Sequence, residues 1–309
     1  MAIRLPGFID IHNHGAIGVD VNSATADDLL LVSEFLASQG VAGWLPTLVP
    51  DSNEAYRSVT DSIDEAVERQ STQATSQARI LGVHYEGVFA NEKMCGALRP
   101  EYFKKFSGSE LDELPTPQYG AKMMTLAPEV EGGIELIREL TKRGWIPSIG
   151  HTHADVATLR AALDAGAKHI THFFNAMSGI HHRELGVAGW GLTEGGVTFD
   201  IIADGKHIVP EMVAFACRAK GVESVSLISD SVAPTGQGDG NFELWGERIA
   251  VVNGTMLDAV RNMLRWGFSV EDVAKMASRN PARLLGIELL DSDVIELTDD
   301  LEIVGNAIG

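Results

Sequence analysis

Cysteine is nearly absent from this chain of 309 residues: Cys95 and Cys217 are the only two. That is too few for the disulfide framework of a small secreted scaffold. Basic residues are also short, with 24 Lys and Arg against 43 Asp and Glu and a formal net charge of −19. A broad clamp on a nucleic-acid backbone draws on clustered cations, so no nucleic-acid partner is expected. No apolar run approaches the roughly 18 residues needed to span a bilayer, and Met1 to Pro6 lacks the charged and apolar regions of a leader. The expectation is a cytoplasmic protein without a membrane partner. Internal repeats, low-complexity stretches and linkers are lacking as well. What is present, 45% hydrophobic residues, can bury a sizeable core in one large α/β barrel or two modest domains.

Eight short β-rich runs organise the chain: Gly7 to His12, Val41 to Leu48, Ile80 to Glu86, Ala121 to Leu126, Trp145 to Gly150, His169 to Phe173, Val197 to Ile202 and Ser224 to Ser229. Between most of them lie segments with apolar residues at helical spacing, such as Leu29, Leu30, Val32, Phe35 and Leu36 within Ala26 to Gln39. Strand and helix in alternation predict an α/β fold of the (β/α)8 TIM type, although an open doubly wound sheet has a similar pattern. Helical patterns continue over Met256 to Gly267 and Val270 to Ala277, and Asn280-Pro281 reads as a turn before Ala282 to Leu285. The reading is a barrel with C-terminal helices over residues 1–287. Residues 288–309 form a β-like tail too small to fold alone, with strands at Val294 to Leu297 and Leu301 to Val304.

In a barrel of this kind the chemistry sits at the carboxyl ends of the strands. The ionisable residues collect there: His12 and His14 after the first run, His84 and Glu86 at the third, His151 after the fifth, His172 at the sixth, Asp204 and His207 after the seventh and Asp230 after the eighth. Imidazoles and carboxylates at one mouth form a donor set suited to Zn²⁺, Fe²⁺ or a similar divalent ion. His12 and His14, two apart on an extended segment, share a face and can bind one ion. His153 and His169 read as structural, and the two cysteines as ordinary small residues.

The ordered motifs carry a resemblance. Pro6-Gly7-Phe8-Ile9-Asp10-Ile11-His12-Asn13-His14-Gly15, His84-Tyr85-Glu86-Gly87, Thr125-Leu126-Ala127-Pro128-Glu129, Gly150-His151-Thr152, Thr171 to Met177, Ala203 to His207, Ser229-Asp230-Ser231, Ala259 to Asn262 and Asn280-Pro281-Ala282 are spread over nearly the whole barrel. With them the chain resembles the N-acetylglucosamine-6-phosphate deacetylases of the amidohydrolase superfamily. The resemblance implies a hydrolase that holds a metal through Glu86, His151 and His172, with His12 and His14 as further ligands, one ion or two, and Asp230 as catalytic acid and base. It also implies that Asn175, Ala176, Arg183 and His207 bind an amino sugar phosphate, and that the chain forms a homodimer in which Arg183 reaches the neighbouring site.

This sequence departs from that family's pattern at several points. Leu98 stands where the family usually has a histidine facing the substrate, and Val88 and Leu185 replace prolines. Between Thr255 and Ala259 the chain is short of a stretch that covers the substrate in the family. The family's small β domain is absent or reduced to a C-terminal remnant. These departures leave two alternatives open: action on another amide or acetylamino sugar phosphate, or a metal-binding barrel that has lost catalysis.

Overall fold

The computed structural model describes residues 2–72, 76–238, 240–244, 247–251 and 254–308. Eight parallel strands follow one another around a nearly closed barrel: β1 (Phe8–Asn13), β2 (Val41–Leu48), β3 (Gly82–Phe89), β4 (Ala121–Leu126), β5 (Ile146–Ile149), β6 (His169–Ile170), β7 (Thr198–Ile202) and β8 (Val225–Ile228). Each pairs with its sequence neighbour, from β1 through to β8. Polar contacts close the ring between its first and last members. The Asp230 N–H donates to the His12 carbonyl at 3.0 Å, and the Ser229 hydroxyl donates to Asp10 Oδ2 at 2.6 Å.

Every residue of β2 and β3 is buried, as expected of parallel strands covered on both faces. Helices form where local signals and an apolar stripe agree. Thr25 and Asp28 build a capping box at the start of Ala26–Ser38, Asp155 caps Val156–Ala165, and Pro210 occupies the first turn of Pro210–Lys220. One continuous core runs through the barrel wall and its helices, with Trp44, Tyr85 and Phe8 fully buried and Phe173 stacked on Phe199 at 4.0 Å between centroids. Among the described residues, no helix is long and apolar enough to cross a membrane.

Three segments differ from the sequence reading. The sixth strand is two residues long, not five, because His172 turns into the left-handed region at φ 33°. No turn forms at Asn280-Pro281; a π-helical segment, Lys275–Arg279, runs straight into the helix Asn280–Leu285. Proline is tolerated in that first turn, and the Asn280 amide is tied to the carbonyls of Val222 and Val225. The last strand lies at Ile303–Ala307. Val294–Leu297 pairs antiparallel with it and with Ile3–Pro6 on its other side, so the tail joins the start of the chain in a three-stranded sheet. After β8 comes an antiparallel hairpin, Gly240–Leu244 with Glu247–Val251. The helix Met256–Arg265 then starts at a capping box of Thr255 and Asp258.

Candidate metal centre and active site

Glu86 near the end of β3 is the hub. Its Oε1 lies 3.3 Å from His12 Nε2, 3.1 Å from His151 Nε2 and 2.9 Å from His172 Nε2, and its Oε2 lies 3.2 Å from His14 Nε2. The histidines meet in pairs, with 3.0 Å between the Nε2 atoms of His12 and His14 and 3.0 Å between those of His151 and His172. Two donor groups result, His12–His14–Glu86 and Glu86–His151–His172, each with ligand atoms within 4.8 Å of one another. Asp230 Oδ1 stands 3.4 Å from both His12 and His14. Its side chain is 21% exposed against 0–6% for the other five, which makes it the most accessible of the six.

The backbone delivers these groups through strained turns. His151, His172 and Asp230 adopt φ of 48°, 33° and 49°, a region that disfavours residues with a Cβ and persists where surroundings over-determine it. Acceptors and donors around the turns do this. Asp200 Oδ1 accepts the His172 N–H, while its Oδ2 accepts from His169 Nε2 at 2.9 Å. Asp10 Oδ1 accepts the Ser229 N–H at 3.2 Å, and its Oδ2 accepts from Asn13 Nδ2 at 3.1 Å. Burial pushes the Asp10 carboxyl up, against the hydrogen bonds from Ser229 and Asn13.

Ring orientation is set from behind. His14 Nδ1–H donates to the Thr47 carbonyl at 3.1 Å and His151 Nδ1–H to the Met94 carbonyl at 2.8 Å, which leaves each Nε2 aimed at Glu86, as outer partners of metal-bound histidines do. His12 Nδ1 and His172 Nδ1 are buried without a hydrogen-bond partner. Nitrogens crowded at 3.0 Å around one carboxylate are a donor set for a divalent cation of the Zn²⁺ or Fe²⁺ kind, and the residues fit such an ion.

Without an ion the cluster stores protons. Burial pushes His14 down, but hydrogen bonds to Asp230 and Glu86 outweigh it and raise the imidazole to about 10. His172 is likewise raised to about 9 against burial, by Glu86 and then Asp230. Burial pushes Glu86 up, yet the charge of His12 and the hydrogen bonds from its histidine neighbours hold it well below the usual carboxylate range. Asp230 follows the same pattern, lowered against burial by His12 and His14.

His84, grouped with the others by sequence position, lies underneath. Its Nδ1–H donates to the Ile11 carbonyl at 3.1 Å, and its Nε2 accepts from the Thr125 hydroxyl at 2.7 Å. Thr125 continues to Thr171, and Thr171 to Ser148. Burial, then the charge of His12, pushes the His84 imidazole well below its ordinary value. His153 is exposed, and His169 is buried between Asp200 and Thr198.

The four residues matched to substrate binding lie in the loops after β6 and β7. Asn175 and Ala176 follow His172, with Ala176 at φ 49° and its carbonyl accepting the Thr152 N–H at 3.1 Å. Arg183 is on an exposed loop, where its N–H donates to His181 Nδ1 at 3.3 Å. His207 is half exposed and held by Asp204 at 2.7 Å; that hydrogen bond raises its imidazole above the ordinary value. Leu98 is buried with Val49, Ala90 and Phe103 and presses on Gly87 beside Glu86, where an added Cβ would meet Leu98 Cδ1 at 2.2 Å. The sequence reading assigned no role to Asp10, Glu129 or Asp200. Asp10 and Glu129 stood inside motifs already noted, whereas nothing local marks Asp200.

Comparison with known proteins places nearly the whole chain in one family. The amidohydrolase family model matches residues 3–290. The N-acetylgalactosamine-6-phosphate deacetylase of Escherichia coli O157:H7 is 34% identical over 299 residues, 92% of this chain and 78% of that protein. The N-acetylglucosamine-6-phosphate deacetylase of Bacillus subtilis is 34% identical over 330 residues, 98% of this chain and 82% of that protein. The crystal structure of N-acetylglucosamine-6-phosphate deacetylase from Thermotoga maritima superposes with a TM-score of 0.88 at 31% identity, covering 98% of this chain and 86% of that one. The chain belongs to the amidohydrolase family.

Proposed function

We propose that this protein removes the acetyl group from N-acetylglucosamine 6-phosphate, releasing glucosamine 6-phosphate and acetate, with a divalent metal held by Glu86, His151 and His172 and with His12 and His14 as further ligands. The observation that carries this reading is one buried carboxylate shared by two histidine pairs beside the more open Asp230, in a chain whose relatives deacetylate amino sugar phosphates. Zn²⁺ and Fe²⁺ both suit the donors, and the shared Glu86 leaves room for one ion or two.

A bound divalent ion supplies Lewis acidity, which makes water more acidic and a carbonyl more electrophilic. Asp230 does the proton work. Its carboxylate is held ionised beside His12 and His14, so it can take a proton from the attacking water and return it to the departing amine. Asn175 and Ala176 offer polar groups to the sugar next to His172. Arg183 and His207 supply positive charge for the phosphate in a chain of net charge −19, Arg183 through paired N–H donors and His207 through the proton that Asp204 favours. We read the assembly as a homodimer in which the exposed Arg183 serves the neighbouring site.

A second reading is the epimer N-acetylgalactosamine 6-phosphate, favoured by the Escherichia coli relative. The deciding experiment is acetate release from both sugar phosphates, with metal content measured on the same preparation. Release that stops on chelation and returns with metal is the expected result, and the ratio of kcat/KM values chooses the epimer. A fully metallated protein inert toward both sugars would overturn the proposal.

A further inference from the structure

We propose that Glu129 is a positioning residue for His151, clamping the strained turn that aims this imidazole into the cluster. The inference rests on the metal-holding reading of the site. Glu129 follows β4, in the motif Thr125-Leu126-Ala127-Pro128-Glu129, and touches none of the ligands.

Its two oxygens take hydrogen bonds from two loops at once. Oε1 accepts the His153 N–H at 2.7 Å and Asn91 Nδ2–H at 2.7 Å, and Oε2 accepts the Thr152 hydroxyl. Asn91 in turn donates its own N–H to the carbonyl of His151 at 3.1 Å. Both residues after His151, and the residue gripping the His151 carbonyl, are therefore tied to one carboxylate. The loop that carries Asn91 also carries Met94, whose carbonyl receives His151 Nδ1–H at 2.8 Å. Glu129 thus joins the turn to the loop that sets the ring's direction.

The turn needs such support because His151 sits at φ 48°, a conformation that a residue with a Cβ keeps only where its surroundings impose it. Without the three bonds, the turn is free to relax toward ordinary φ. Nε2 then swings off the positions 3.1 Å from Glu86 and 3.0 Å from His172. Thr152 extends the clamp to the next loop, since its N–H donates to the Ala176 carbonyl at 3.1 Å.

The test is zinc affinity by competition with a chromophoric chelator, on the wild-type protein and on Glu129→Ala, Glu129→Gln and Thr152→Val, with thermal unfolding of each metal-free form. Outer partners of metal ligands are worth about 10–100-fold in affinity. Glu129→Ala should lose that much, Glu129→Gln, which keeps an acceptor of the same shape, should stay within about threefold of wild type, and Thr152→Val should fall between. Glu129→Ala or Thr152→Val binding zinc like wild type overturns the role, as does Glu129→Gln as weak as Glu129→Ala, which would assign the effect to charge alone. If Glu129→Ala fails to fold without metal, Thr152→Val decides by itself. A wild-type protein that takes up no zinc or iron(II) overturns the metal reading, whereas zinc-binding wild type with unaffected variants overturns only the clamp.

Discussion

Loading the site with metal should release protons, and the number follows from the charges around Glu86. In the metal-free protein His14 and His172 are raised to about 10 and about 9, so both carry a proton on the ring at pH 7. A metal takes the unprotonated nitrogen, so each of these two rings gives up its proton on binding. An ion in the Glu86–His151–His172 group displaces the His172 proton, one in the His12–His14–Glu86 group displaces the His14 proton, and two ions displace both. By linkage, one proton released per ion raises the apparent affinity roughly tenfold per pH unit, so about 100-fold between pH 6 and 8, flattening near the pKa that is being overcome. Chelator competition at pH 6, 7 and 8 measures the slope. A pH indicator in weakly buffered solution counts the protons directly. Asp230 is the largest of the groups that raise His14, so Asp230→Asn should release fewer protons than wild type. The sign for stability is opposite to that for binding: raised imidazole values stabilise the metal-free fold fully below about 6.5, and that contribution is lost as the pH climbs through about 9 and 10. The metal-free protein therefore weakens as alkali is added, where the loaded protein gains. Affinity that is flat between pH 6 and 8, with no protons released, would refute this account of the cluster.

Replacing Asp230 by Asn should lower kcat by about 10²–10⁴-fold, the usual worth of a general acid–base group, while zinc content stays near that of wild type; undiminished turnover would remove Asp230 from the mechanism. Gly150→Ala should cost about 1–3 kcal/mol by overpacking, because the new Cβ would lie 2.5 Å from Thr125 Cγ2 and 3.3 Å from Thr171 Cβ, two side chains already locked to each other at 2.7 Å. Urea unfolding of the metal-free protein measures that cost, and a change below about 0.5 kcal/mol would show that the strands yield more easily than this packing implies. Mixing inactive Asp230→Asn and Arg183→Ala subunits should restore part of the activity under exchange if Arg183 serves its neighbour's site, and no recovery would assign each site to a single chain.

Much of the barrel was legible from sequence because its strands are short apolar runs separated by helices with ordinary start and stop signals. Val41–Leu48 and Ala121–Leu126 have the same bounds in the sequence reading and in the structure. The candidate ligands were legible as a set, since six histidines and three carboxylates recur at successive strand ends, and the family motifs gave all of these but His84 and Asp204 a candidate role. Where the reading went astray, a long-range contact had overruled a local signal. His169 to Phe173 has the composition of a strand, yet Asp200 on the next strand takes the His172 N–H and the chain turns. Asn280-Pro281 has the composition of a turn, yet carbonyls around β8 hold Asn280 and the helix runs on.

The sequence by itself determined the alternation of strand and helix, the acidic balance, and the kinds of ligand available at the strand ends, because propensity, hydrophobic period and residue chemistry are local properties. Only the tertiary structure decided that Glu86 is shared by both histidine pairs, that His84 lies beneath the cluster, and that Asp10, Glu129 and Asp200 hold the turns around it. Those outcomes depend on groups as far apart along the chain as Asp10 and Ser229, 219 positions. Contacts of that kind exist only once the barrel has closed, and it is their hydrogen bonds that sustain three left-handed turns which no local preference would form.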